Sequence, residues 1–159
     1  MRRGALFAML LATAGLDAAW GYQPAVNYQL NCMGCHGADG SGEPGRVPSV
    51  RRSLVLLSTL PEGREYIIRV PGVAQSPLSD EETAALLDWM ARNLSDIPPR
   101  PGFIDYSASE VGRSRRHPLA RVRSERERLL KSLSRARGPS PVAEGKAVVV
   151  APDEVVTAR

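Results

Sequence analysis

Histidine, cysteine and aromatic side chains are scarce in this chain: two histidines, two cysteines and 5% aromatic residues among 159 positions. No apolar run reaches the roughly 20 residues needed to span a bilayer, so a permanent membrane span is not expected. No pair of alternating apolar and polar segments marks a hairpin, and no internal repeat is present, which leaves helices as the building material. Groove-reading motifs and basic aromatic-rich strand patterns are missing too, so nucleic acid is not an expected partner. At this length a single domain with one modest core is the default.

What is present begins with "MRRGALFAMLLATAGLDAAWGY". Arg2 and Arg3, an apolar run from Gly4 to Leu16 and then small residues follow the order of a secretory signal peptide. Residues 1–21 are therefore expected to be a signal, with cleavage after Ala18 or Gly21 and a mature, periplasmic chain starting near Tyr22. The two arginines lack the rest of a twin-arginine signal, which favours general secretion. The formal charge of +4 hides a split. Tyr22 to Pro99 holds six basic and nine acidic residues, whereas Arg100 to Arg159 holds thirteen basic and seven acidic ones.

Three helices are expected before residue 100. The first runs from Pro24 or Ala25 into the cysteines, with proline where a missing N–H costs nothing. The second is "PEGREYIIRV", stopped by Pro71-Gly72. The third, "SDEETAALLDWMARNL", has Ser79 and Glu82 spaced as a capping box, three acids in its first turn, and Leu87, Met90, Ala91 and Leu94 at helical spacing. A glycine- and proline-rich loop, Gly37 to Pro48, separates the first two. "SDIPPRPGF" then reads as a boundary, placing a domain at 22–99. Beyond it, arginine, serine, proline and glycine dominate, a composition too poor in apolar surface to offset its chain entropy. Residues 100–159 are expected to be a basic, mostly disordered tail, with one potential helix near 119–137 as a docking surface for a partner or acidic lipid.

Both cysteines and one histidine fall within five positions, Cys32-Met33-Gly34-Cys35-His36. This C-x-x-C-H spacing attaches c-type haem: one helical turn presents two thiols to the two vinyl groups on a porphyrin edge, and the adjacent imidazole swings under the iron. A redox C-x-x-C would sit in a βαβ context, which is missing. A structural zinc site wants four nitrogen or sulfur ligands, and only the distant His117 remains. A disulfide between residues three apart closes too small a loop to stabilise much.

"CMGCHGADGSGEPGRVP", the short middle helix and "LSDEETAALLDWMARNL" together resemble a small class I, single-haem cytochrome c from about Tyr22 to Leu94. The resemblance implies an all-α fold around one covalent haem c, N- and C-terminal helices crossing beside it, thioethers at Cys32 and Cys35, and His36 as the proximal iron ligand. It also implies that a backbone carbonyl at or before a proline orients that imidazole; Pro44 and Pro48 both qualify. The departure lies at the sixth ligand. Such cytochromes take a methionine from the loop before the last helix, yet here that loop is "RVPGVAQSPLSD". Met90, inside the last helix, is the remaining candidate distal ligand, against its simpler role in an apolar stripe. His117 reads as an exposed histidine, Gln75 as a weak candidate, and a five-coordinate or water-capped iron stays open.

Coordination divides two functions. A capped iron suits a one-electron carrier between redox partner proteins such as a dehydrogenase and an oxidase. An open iron suits a small-molecule binder, sensor or peroxidase-like enzyme. With no distal acid–base pair visible, the carrier reading leads and no catalytic residue is assigned. Arg51, Arg52 and Arg69 are candidates for solvent-facing charges or haem-propionate partners.

Overall fold

The computed structural model describes residues 21–101, 103 and 105–136. The expected signal, apart from Gly21, and everything after residue 136 lie outside the described residues. Helices account for the architecture: α1 (Pro24–Asn31), α2 (Met33–His36), α3 (Val50–Leu57), α4 (Pro61–Arg69), α5 (Pro71–Ala74), α6 (Asp80–Asn93), α7 (Ala108–Ser114) and α8 (Val122–Ala136). Among the described residues there is no strand, only an isolated antiparallel bridge between Glu43 and Val47. The all-α expectation holds.

Each end has a local cause. α1 and α4 start with proline in their first turn, where the amide would be unpaired anyway. α6 carries the full capping box: Ser79 Oγ accepts from the Glu82 N–H at 3.1 Å, and the Glu82 carboxylate accepts from the Ser79 N–H at 2.9 Å. α1 crosses α6 with the Tyr28 and Trp89 rings 5.7 Å apart and tilted by 42°. The core beneath is built from Leu54 and Val55 of α3, Ile68 of α4, and Leu87 and Ala91 of α6.

The domain does not end at Pro99. Tyr106, Val111, Leu129 and Leu133 are all buried in the same core, so residues 105–136 pack as part of it, contrary to the expected mostly disordered tail. Tyr106 is held on three sides. Its hydroxyl pairs with Ser58 Oγ at 2.7 Å, its N–H donates to Asp88 Oδ1 at 3.0 Å, and the Arg64 guanidinium lies 4.0 Å above its ring. Burial pushes the phenol up to about 12. Arg64 also forms a two-pronged bridge to Glu110 on α7, both contacts 2.8 Å. The expected helix near 119–137 exists as α8, and its Leu129 is 1% exposed. The segment is too poor in apolar residues to fold alone, but the few it has are inserted into a core that its neighbours supply.

Leu129→Ala is therefore expected to cost about 2–4 kcal/mol in chemical unfolding, the range for emptying a core leucine site; a solvated helix would show less than about 0.5 kcal/mol. A second expectation concerns acid. The Arg64 hydrogen bonds hold the Glu110 carboxyl below its ordinary value of 4.5. The folded state thus favours the ionised form, and this stabilisation is complete above 4.5 and lost as pH falls through the lower folded value. Stability curves of the native protein and Glu110→Gln should be separated at neutral pH and converge as the pH drops below 4.5.

Candidate functional site

α1 breaks at Cys32, whose φ of −127° and ψ of −38° interrupt the helix before the single turn of α2. Cys32 is half-buried and Cys35 exposed, and neither is disulfide-bonded. Burial raises the Cys32 thiol above its ordinary value, with a smaller contribution from Cys35. His36 closes α2, and Gly37 turns the chain with φ +75° while its carbonyl accepts from the Tyr28 hydroxyl at 2.6 Å. The loop then folds back: the Gly42 N–H donates to the His36 carbonyl at 2.8 Å and the Val50 N–H to the Gly40 carbonyl at 2.9 Å. Gly42 has φ +72°, and a Cβ there would strike the Val47 carbonyl, so only glycine fits this close approach.

That fold-back delivers Pro48 to His36. The His36 Nδ1 is buried without a hydrogen bond of regular geometry. Burial lowers the pKa of the ring, and the Pro48 backbone opposes the shift as the acceptor that favours its proton. Burial being the larger effect, the imidazole is held neutral, the form that ligates metal. Of the two candidate prolines, Pro48 rather than Pro44 lines the cavity beside the motif.

The cavity, about 350 Å³, has Cys32, Cys35 and His36 in one wall. Leu54 and Leu57 of α3, Ile67 of α4 and Leu86 of α6 make its other surfaces apolar. Among the described residues no carboxylate lines it, and its charged side chains are Arg46 and Arg126. Arg46 is exposed and paired with Glu43 at 2.9 Å. Arg126 comes from α8, near Tyr66. Among the described residues no group of three His, Cys, Asp or Glu side chains is placed to hold a bare metal ion. Two thiols and a neutral imidazole in the wall of a mainly apolar cavity instead match a porphyrin attached along one edge, with arginines for its carboxylates.

No protein-family model matches the chain. It is 30% identical over 149 residues to a cytochrome c-552 of Thermus thermophilus, an alignment covering 81% of this chain and 98% of that protein. A second Thermus thermophilus cytochrome c-552 is 32% identical over 118 residues, covering 62% of this chain and 90% of the relative. The chain belongs to the class I c-type cytochromes. It is a haem-containing electron carrier, with haem c as its covalent cofactor. The wide coverage of the first alignment agrees with residues beyond Pro99 being integral to the cytochrome.

Of the residues singled out from sequence, Cys32, Cys35 and His36 share the cavity wall, and Met90 is buried and also lines the cavity. Gln75 and His117 are exposed and do not line it. Nor do the expected propionate partners. Arg51 pairs with Asp39 at 2.9 Å and with Asp96, and Arg69 pairs with Glu65 at 3.1 Å and donates to the His117 carbonyl at 2.6 Å. Arg46, Arg126 and Thr83 are among the lining residues that sequence did not reveal. Arg126 lies in the expected tail, and Thr83 occupies an ordinary position on an amphipathic helix.

The segment from Val70 to Ser79 forms the wall next to the start of α6, and one side chain pins it. Arg115, just after α7, donates to the carbonyls of Ala74 at 3.2 Å, Leu78 at 2.7 Å and Ser76 at 2.7 Å, and to Asp80 Oδ1 at 3.1 Å. Arg115→Met keeps the stem but leaves three carbonyls without this donor. A loss of about 2–4 kcal/mol in unfolding free energy is expected, with Arg115→Lys recovering part of it.

Proposed function

We propose that this cytochrome is an exported, periplasmic single-electron carrier that passes electrons between redox partner proteins through a haem c held by Cys32, Cys35 and His36. The observation that carries this reading is the joint placement of both thiols and a neutral imidazole in one wall of an apolar cavity. Cys32 and Cys35 would each add across one vinyl group, sulfur to one carbon and hydrogen to the other, so that the cofactor would be retained covalently. His36 would serve as proximal ligand through Nε2, with the Pro48 backbone beside its ring as the group that would orient Nδ1. When bound, haem would supply a one-electron ferric–ferrous couple.

The remaining residues keep that change cheap. Leu54, Leu57, Ile67 and Leu86 would exclude water, lowering the reorganisation that each electron transfer demands, and Arg46 and Arg126 are the lining cations that would face the haem carboxylates. Export is supported by the signal-like residues 1–21 and by the family. Among the described residues no helix is long and apolar enough to cross a membrane, which agrees with a carrier that docks and leaves.

Cys32→Ser with Cys35→Ser is expected to abolish covalent haem, read as loss of the haem stain on a denaturing gel and of the reduced-haem absorption bands. In the native protein a potentiometric titration should follow a one-electron curve; a two-electron curve or a haem-free mature protein would overturn the reading.

A further inference from the structure

α6 runs between the two sides of the haem cavity. At its start, Arg115 ties Asp80 to the Ala74–Leu78 segment. At its end, Leu94 lies 3.5 Å from where a Gly40 Cβ would stand, and the Asp96 N–H donates to the Arg51 carbonyl at 2.9 Å. That end is therefore the one beside the loop carrying His36 and Pro48. Met90 is one helical turn before Leu94, on the His36 side. Thr83 is about 10 Å away along the axis at 1.5 Å per residue, in the first turn of α6 next to the Val70–Ser79 segment and toward the end of the helix away from the His36 loop.

Thr83 is 1% exposed, lines the cavity, and its hydroxyl has no hydrogen-bond partner. The hydroxyl does not fold back on the Ser79 carbonyl, which instead accepts the Thr83 N–H at 2.9 Å. A buried orphan hydroxyl costs about 1–3 kcal/mol, so it asks for a reason. The neighbouring wall consists of Val70, Val73, Ser76 and Leu78, a set with no side-chain nitrogen or sulfur to offer a metal. Ser76 Oγ is turned toward Arg115, at 3.4 Å.

We propose that the half of the cavity bounded by Val70, Val73, Leu78 and Thr83 is a binding site for a small uncharged diatomic on the haem iron, with the Thr83 hydroxyl donating a hydrogen bond to it. The proposal rests on haem being held through His36, and it departs from the sequence expectation that ties a carrier to a capped iron: the sixth position is left to an exogenous ligand. The apolar wall would accept a molecule of two atoms and disfavour an ion, and the single hydroxyl would orient it.

The test uses the mature holoprotein, first assayed for covalent haem; a sample without it fails the haem reading itself. With haem present, the reduced protein is titrated with carbon monoxide and the C–O stretch recorded by infrared spectroscopy. Carbon monoxide should shift the absorption bands. Thr83→Val, equal in shape but without the donor, should bind it roughly two- to tenfold more weakly and move the stretch to higher frequency, and Thr83→Ser should restore both toward native values. A spectrum unmoved by carbon monoxide overturns the proposal, and a Met90→Leu variant that then becomes reactive would assign the cap to Met90. Carbon monoxide binding with an unchanged stretch and affinity in Thr83→Val overturns the role of the hydroxyl.

Discussion

The guanidinium of Arg115 gathers the carbonyls of Ala74, Ser76 and Leu78 and the carboxylate of Asp80 into one hydrogen-bonded cluster. These carbonyls belong to a short segment that follows a proline-started turn and has no sheet or long helix of its own, so its peptide groups need partners from elsewhere. Only a planar, multi-donor cation can serve several acceptors at once. The wall of the haem cavity is consequently tied by a residue 16 positions past Pro99: Arg115 supplies the side-chain donors for the Ala74, Ser76 and Leu78 carbonyls. α7 is seated by the same need. Gly112 lies so close to Asp80 that a Cβ would strike its carboxylate, which lets the helix approach far enough for Arg115 to reach.

On the His36 side the constraint is steric. Gly37, Gly40 and Gly42 all have positive φ, but the close approach is decisive at Gly42, against the Val47 carbonyl, and at Gly40, where a Cβ would come within 2.8 Å of Val50 Cγ2. The chain can thus turn twice within a few residues and return Pro48 to the imidazole. Tyr28 completes this side by joining α1 to the turn through its hydroxyl. The two sides are built by different means, backbone compression in one and a charged clamp in the other, and α6 spans them.

Elements with strong local signals were legible in sequence. C-x-x-C-H sits where its spacing demands one helical turn, and the Ser79–Glu82 capping box predicts the start of α6 to the residue. α3 was not foreseen, because Arg51 and Arg52 follow directly on the loop and interrupt the apolar pattern. Its amphipathic face, Leu54, Val55 and Leu57, is recognisable once Ser49 is seen to cap it, accepting from the Arg51 N–H at 3.3 Å. α5 was hidden behind Pro71, which ends α4 and opens the next turn. The ordering of residues 105–136 escaped for a physical reason: composition judges a segment as if it folded alone, whereas Tyr106, Val111, Leu129 and Leu133 are buried against side chains distant in sequence. Thr83 was invisible because an orphaned hydroxyl is a property of its surroundings.

The charge split also changes meaning once the chain is folded. Three ion pairs join the acidic first part to the basic second part: Arg64 with Glu110, Arg115 with Asp80, and Arg92 with Asp105. The charges of the two unequal parts therefore serve partly to join the segments, and the more buried pairs contribute most. Arg113, Arg116, Arg121 and Arg123 remain exposed around the connection from α7 to α8. That connection is tied to α4, since the Leu119 N–H donates to the Arg69 carbonyl at 2.9 Å, and α8 carries Arg126 to the cavity. An acidic partner drawn to these arginines would be brought to the helix that lines the haem cavity, coupling electrostatic attraction to orientation rather than merely raising the encounter rate.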